Sequence, residues 1–241
     1  VIFVLTMYLM YLCISGGFAG LIYAKYYGTA VFFWFIFSIF FVMWLVSFAV
    51  LLFDDPGSMK NEVLLNKNHN CQYYCPKCGQ VKPYRAHHCA TCEACFACMD
   101  HHCTVFGRCI ALRNRKVFMQ YLFDSIVMLT IYTIVSALSM VINTFDGYPY
   151  FLLLQCFVGI SLAVLLALFL YQQMKVMFHG HTLIEELYDI PYVDGLTKYE
   201  RFKEIFGPPS LDWLVPRPLR NEYGNAFQWE RFRNAETKKE E

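Results

Sequence analysis

Charge is scarce in this chain. Asp, Glu, Lys and Arg make up 16% of its 241 residues, against about 25% in soluble globular domains. The scarcity is concentrated. Val1 to Ala24, Phe32 to Phe53 and Tyr150 to Met174 hold no charged residue, and Val117 to Ile142 holds only Asp124. Each run exceeds the ~20 residues that carry a helix across a hydrocarbon core of ~30 Å. A soluble core does not need four such runs, so the sequence predicts four transmembrane helices. The chain also lacks an initiating Met and a basic segment ahead of the first run. The expectation is that the native N-terminus is absent from this sequence and that the run is not a cleaved signal peptide. No basic stripe with interleaved aromatics is present, which excludes nucleic acid as a partner. Internal repeats and low-complexity segments are missing too.

Cations are nearly missing from two of the loops. The first short loop holds only Lys25, and Asn143 to Pro149 holds none; the rest of the 20 Lys and Arg lie between spans two and three or after span four. The positive-inside rule puts those two segments in the cytosol. The formal net charge of +1 hides this asymmetry. A reducing compartment argues against disulfides and for metal-binding or catalytic cysteines.

Those cysteines are organised. Starting at Cys75, the pattern runs Cys75-x2-Cys78, nine residues, His88-Cys89-x2-Cys92-x2-Cys95, four residues, Asp100-His101-His102-Cys103, five residues, Cys109. Two thiolates two residues apart can turn onto one tetrahedral Zn²⁺. Two zincs need eight ligands. Cys75, Cys78, His88, Cys89, Cys92, Cys95, Cys109 and one of His101 and His102 supply them. Cys103 and the other histidine are left beside Asp100. Asp, His and Cys are the parts of an activated thiol nucleophile: imidazole generates the thiolate, and a carboxylate fixes the imidazole tautomer.

This segment resembles the cysteine-rich domain of the DHHC protein S-acyltransferases, or palmitoyltransferases. The resemblance continues through Lys82-Pro83, Arg85, His87-His88-Cys89, Met99 to Cys103, Cys109, Asn114 and Phe118, with Asp54-Asp55-Pro56-Gly57 after the second span. It implies an all-α polytopic membrane protein of four transmembrane helices, with a small cytosolic zinc domain between helices two and three. The expected boundaries are spans one and two in 1–53, the zinc domain in 54–116, spans three and four in 117–174, and a cytosolic C-terminal region in 175–241.

The resemblance also assigns roles. One structural zinc falls to Cys75, Cys78, His88 and Cys95, the other to Cys89, Cys92, His102 and Cys109. Cys103 becomes the nucleophile, His101 the base and Asp100 the group that orients it. The implied reaction moves a long-chain acyl group from palmitoyl-CoA or a similar acyl-CoA, the co-substrate, to cysteines of membrane-associated proteins through an acyl-enzyme. The helices would hold the acyl tail in an apolar cavity, with Met128 at its floor. Burial is worth ~0.8 kcal/mol per CH₂, which explains a site at the bilayer surface. Lys82, Arg85 and His87 are expected near the CoA phosphates, while Arg115 and Lys116 are expected to mark the membrane edge. Thr182 and Glu185 would brace the zinc domain. Golgi or ER membrane is the expected location, and an accessory subunit is left open.

The chain departs from the family pattern in places. Thr104-Val105 stands where Pro-Trp is usual, Gly107-Arg108 where Asn-Asn is usual, Leu183 for a Thr and Arg201 for an Asn. These departures favour one alternative, a catalytically weak zinc-stabilised membrane scaffold. Tyr199 to Gly207 has the spacing of an amphipathic helix ending at the glycine.

Overall fold

The structure, a computed structural model, describes residues 17–22, 24–59, 73–83, 85–142, 149–190 and 195–218. Its long elements are three helices: α1 (Tyr27–Phe53), α2 (Arg115–Ile142) and α3 (Pro149–Phe178). All three are long and apolar enough to cross a membrane. The first predicted span lies largely outside the described residues, apart from a helical stretch over 17–22. Residues 60–72 and Cys71 with them also lie outside.

The chain divides into two compact units, 1–45 with 121–171, and 46–120 with 172–241. In the first unit, α1 and α2 meet through aromatics. Trp44, 1% exposed, stacks on Tyr121 at 5.4 Å and donates from Nε1 to Ser125 Oγ at 2.9 Å. That bond matters because a buried indole N–H has no water to turn to. Many outer side chains, such as Phe32, Phe35, Phe157 and Leu165, are apolar and exposed, as a lipid-facing surface requires. α2 and α3 come close at Gly159, where an added Cβ would meet Thr133 Oγ1 at 2.4 Å. Small residues at such contacts let spans approach. Gly159→Val is therefore expected to destabilise by about 1–3 kcal/mol through overpacking. A lowered thermal midpoint of the solubilised protein would show it, and an unchanged midpoint would mean the helices have room.

The second unit is built on three two-stranded antiparallel hairpins: β1 (Tyr73–Cys75) with β2 (Gln80–Lys82), β3 (Ala86–Cys89) with β4 (Ala94–Ala97), and β5 (His101–Cys103) with β6 (Arg108–Ile110). The sequence expectation of an all-α protein is thus refined to a mainly helical one with small strands. α1 stops at Asp54-Asp55-Pro56-Gly57 for local reasons. Pro56 cannot continue a helix. Asp55 Oδ1 accepts from the amides of Gly57 and Ser58 at 3.2 and 2.9 Å, and Gly57 turns the chain at φ 108. Arg108 donates to the Leu52 carbonyl at 2.6 Å and to that of Asp54 at 3.1 Å, which ties the third hairpin to the end of α1.

Asn114 joins that hairpin to α2: its Oδ1 accepts from Ala111 N at 2.8 Å and its Nδ2 donates to Cys109 O at 3.1 Å. α3 ends in a Schellman pattern, with His181 N bonded to Val176 O, Gly180 N to Met177 O, and Gly180 at φ 83. Two short helices follow, α4 (Leu183–Leu187) and α5 (Lys198–Phe206), each opened by a Thr–Glu capping box. The amphipathic helix expected at Tyr199 to Gly207 is α5, and Gly207 closes it at φ 80. Arg201, which stands where the family pattern has Asn, donates to Phe178 O at 2.6 Å, at the end of α3. Lys116 donates to Asp212 O, and Gln120 to Trp213 O at 2.8 Å. These bonds fasten the segment around Leu211–Trp213 to the first turns of α2.

Candidate active site and metal centres

The hairpins bring the soft ligands together by strand register. His88 faces Cys95 across β3–β4, and His102 faces Cys109 across β5–β6. Each pair meets the Cys-x2-Cys turn of the preceding hairpin. Cys75, Cys78, His88 and Cys95 form one group, and Cys89, Cys92, His102 and Cys109 form the other. Within each group the ligand atoms lie within 4.8 Å of one another. His88 Nδ1 lies 3.7, 3.1 and 3.9 Å from the sulfurs of Cys75, Cys78 and Cys95. His102 Nδ1 lies 3.5, 3.4 and 3.8 Å from those of Cys89, Cys92 and Cys109. A tetrahedral Zn²⁺ with Zn–S of about 2.3 Å and Zn–N of about 2.0 Å has edges of about 3.5–3.8 Å. Both Cys3His groups fit that ion. With four protein ligands each, neither would leave a coordination position for substrate, and a zinc bound there would hold the hairpins.

Successive side chains of a strand point to opposite faces. In β5, His102 points to its metal group, so His101 and Cys103 share the other face. Asp100 Oδ2 accepts from His101 Nδ1 at 2.8 Å, and the neighbouring His101 ring favours the Cys103 thiolate. Burial opposes charge on all three groups, yet each is shifted toward its charged form. Asp100 is lowered to about 2 by Arg115, His101 and the Leu183 amide. His101 is raised to about 9 by Asp100 and Cys103. Cys103 is lowered by His101 and by the amides of Phe106 and Val105. Rings enclose the pair: Phe118 meets His101 edge-on at 5.2 Å, and Phe106 packs between Phe118 and Phe48. Cys103 lies in neither metal group.

Asp100 is itself fully buried and is cradled from three directions. Leu183 N donates to its Oδ1 at 2.9 Å. Gln173 Nε2 donates to Oδ2 at 3.0 Å. Arg115 Nη2 stands 3.5 Å from Oδ1 and its Nη1 donates to His181 O at 3.1 Å. Arg115 and Lys116, expected at the membrane edge, open α2; both are about 95% buried and donate to carbonyls within this unit.

The remaining predicted residues fall into two sets. Glu185 takes a bidentate bond from Arg85, with Nε at 2.8 Å and Nη2 at 2.5 Å; His87 Nε2 lies 3.8 Å away. Arg85 also donates to Gly180 O at 2.9 Å and is 5% exposed. Its guanidinium is thus committed inside the protein. Lys82 donates to Ala86 O and is half-buried, as is His87, whose Nε2 is itself buried. Cys98 is buried, and burial pushes its thiol up to about 12, which makes it inert. Asp124 is 5% exposed and its Oδ2 finds no hydrogen-bond partner among the described residues.

The Glu185 pair gives a pH-dependent prediction. Burial alone would raise Glu185, but Arg85, His87 and the Thr182 amide hold it well below the usual carboxylate range. A depressed carboxyl contributes stability above its unfolded value, near 4.3, and loses it as pH falls toward the folded value. Glu185→Gln leaves Arg85 buried without its counter-charge and is expected to cost about 3 kcal/mol at pH 7. The gap between wild type and variant should narrow below about pH 4. Thermal midpoints of both proteins across pH would check this, and a gap independent of pH would remove the ion pair as its source.

A family model for the DHHC palmitoyltransferases matches residues 68–204, more than half of the chain. The chain belongs to the DHHC palmitoyltransferase family. Membership places it among acyltransferase enzymes. It is 25% identical over 222 residues to Probable protein S-acyltransferase 12 of Arabidopsis thaliana, covering 81% of this chain and 76% of that one. It is 30% identical over 196 residues to Palmitoyltransferase ZDHHC7 of Mus musculus, covering 73% of this chain and 64% of that protein. Palmitoyltransferase ZDHHC3 of Homo sapiens is 27% identical over 194 residues, with 71% and 64% covered. The chain therefore spans just under two thirds of the length of either mammalian relative. Gln173 and Arg115, which hold Asp100 in this family member, are the site residues that sequence reasoning missed. Gln173 sits beside Gln172 near the end of a mainly apolar run, and nothing in its spacing pointed to a partner 73 residues away.

Proposed function

We propose that this chain is a protein S-acyltransferase that carries the acyl group on Cys103. The Cys103 thiolate attacks the carbonyl carbon of a long-chain acyl-CoA such as palmitoyl-CoA. The carbon–sulfur bond to CoA breaks, and His101 returns a proton to the departing CoA thiolate. A cysteine thiol of a membrane-associated protein then gives its proton to His101 and attacks the acyl-enzyme. The acyl group moves to it, and Cys103 leaves as the thiolate beside the re-protonated His101, as at the start. Asp100 keeps His101 in one tautomer throughout. One observation carries the reading: Cys103 stands outside both metal groups, yet on the same strand face as a histidine held by a buried carboxylate.

The two zincs, one on Cys75, Cys78, His88 and Cys95 and the other on Cys89, Cys92, His102 and Cys109, would fix the hairpin that bears the nucleophile. Lys82 and His87 are the side chains proposed to meet the CoA phosphates; Arg85 serves the reading better as the brace to Glu185. The domain layout proposed is spans in 1–53 and 117–174, the zinc domain in 54–116 and a C-terminal region in 175–241. The cation distribution supports a cytosolic zinc domain in a multi-pass protein of four spans. The test is incubation with labelled palmitoyl-CoA. A label released by hydroxylamine supports the thioester, and absence of label would leave the scaffold reading.

A further inference from the structure

A buried amide costs free energy unless it is paired, and Gln173 is 0% exposed near the end of the apolar helix α3. Its one hydrogen bond among the described residues goes to a single atom, Asp100 Oδ2, at 3.0 Å. An ionised carboxylate only accepts, so the amide must present its NH₂ there. The same Oδ2 receives His101 Nδ1 at 2.8 Å. Asp100 Oδ1 is served separately, by Leu183 N and Arg115. The plane of an aspartate carboxylate is loosely defined by its own torsion. Donors on both oxygens, coming from different elements, define it.

We propose that Gln173 is a positioning residue of the acyl-transfer site. It fixes the Asp100 carboxylate plane, which fixes the His101 ring and leaves Nε2 as the nitrogen that serves Cys103. The inference rests on the acyl-transfer reading above for its chemistry, but not for its geometry. Small displacements of a catalytic group cost large factors in rate. Loss of one hydrogen bond in the relay is expected to slow the step about tenfold.

The experiment uses the full chain in lipid nanodiscs and compares Gln173→Met with Gln173→Ala. Met keeps the volume and removes the donor; Ala removes both. Two rates are read: single-turnover transfer from palmitoyl-CoA to Cys103, and alkylation of Cys103 by iodoacetamide followed by mass spectrometry. Zinc content is measured alongside. Both variants should be about tenfold slower at saturating palmitoyl-CoA, with KM unchanged and two zincs retained. In an Asp100→Asn background, Gln173→Met should add no further slowing, since it acts through Asp100. A wild-type rate for Gln173→Met would show that Gln173 only fills space. Loss of zinc in that variant, or further slowing in the Asp100→Asn background, would equally overturn the assignment. If the wild type takes no acyl group while alkylation follows this pattern, the acyl-transfer reading fails and the positioning role stands.

Discussion

Cys103→Ser is expected to abolish acyl transfer to the protein while leaving both zincs in place. The two halves of that result have separate causes. Transfer needs a thiolate, and His101 with the Phe106 and Val105 amides stabilises one at Cys103. A serine hydroxyl in the same position remains protonated and is a far poorer nucleophile with this base. The expected loss is more than about a thousandfold, within the range carried by an activated nucleophile and its partners. Zinc is untouched because Cys103 is not within either four-ligand group, and the substitution removes no bulk from the β5–β6 pairing. Hydroxylamine-sensitive label and metal content, measured on the same sample, decide the matter. Loss of zinc would make Cys103 a ligand. Persistent label would move the acyl group to another cysteine.

Much of this site was legible in the sequence, for reasons that also mark where legibility ends. Zinc ligands announce themselves because a metal imposes spacing on the chain: Cys75-x2-Cys78 and Cys89-x2-Cys92 are local constraints. The long helices are equally legible, because hydrocarbon thickness sets their length. Three of the four predicted runs coincide with α1, α2 and α3, and the first lies mostly outside the described residues. The separate roles of His101 and His102 came only from resemblance. The physical basis for that split, alternation along β5, becomes visible with the hairpin. Partners far apart in sequence were harder to foresee. Arg85 sits beside the motif and looked free to meet phosphate, but Glu185, 100 residues on, takes its guanidinium. Arg115 was read only as a marker of the membrane edge, and its place beside Asp100 was not foreseen. In each case the charge was evident in the sequence, and its counter-charge was brought by an element whose docking the local pattern does not encode.

His102→Ala and His101→Ala should therefore fail in opposite ways, although the residues are neighbours. His102 contributes Nδ1 to a group whose other members are Cys89, Cys92 and Cys109. Removing it leaves three thiolates around the ion. It also unlinks β5 from the Cys89-x2-Cys92 turn. Structural zinc supplies roughly 10–16 kcal/mol of apparent binding free energy in small domains, and these hairpins have little apolar core to replace it. The expected result is one zinc per chain or none, loosened hairpins and no acyl transfer. His101→Ala leaves every ligand in place, so two zincs should remain and the fold should hold. What it removes is the base, and general acid–base groups contribute about a hundredfold to ten-thousandfold in rate. Acyl transfer should fall by at least about a hundredfold, with Cys103 still present and still alkylated by a small reagent, only more slowly. Metal analysis and single-turnover rates of the two variants, measured side by side, provide the check. If His101→Ala loses zinc and His102→Ala keeps it, the two histidines have exchanged roles, and the face of β5 that carries the chemistry is the opposite one.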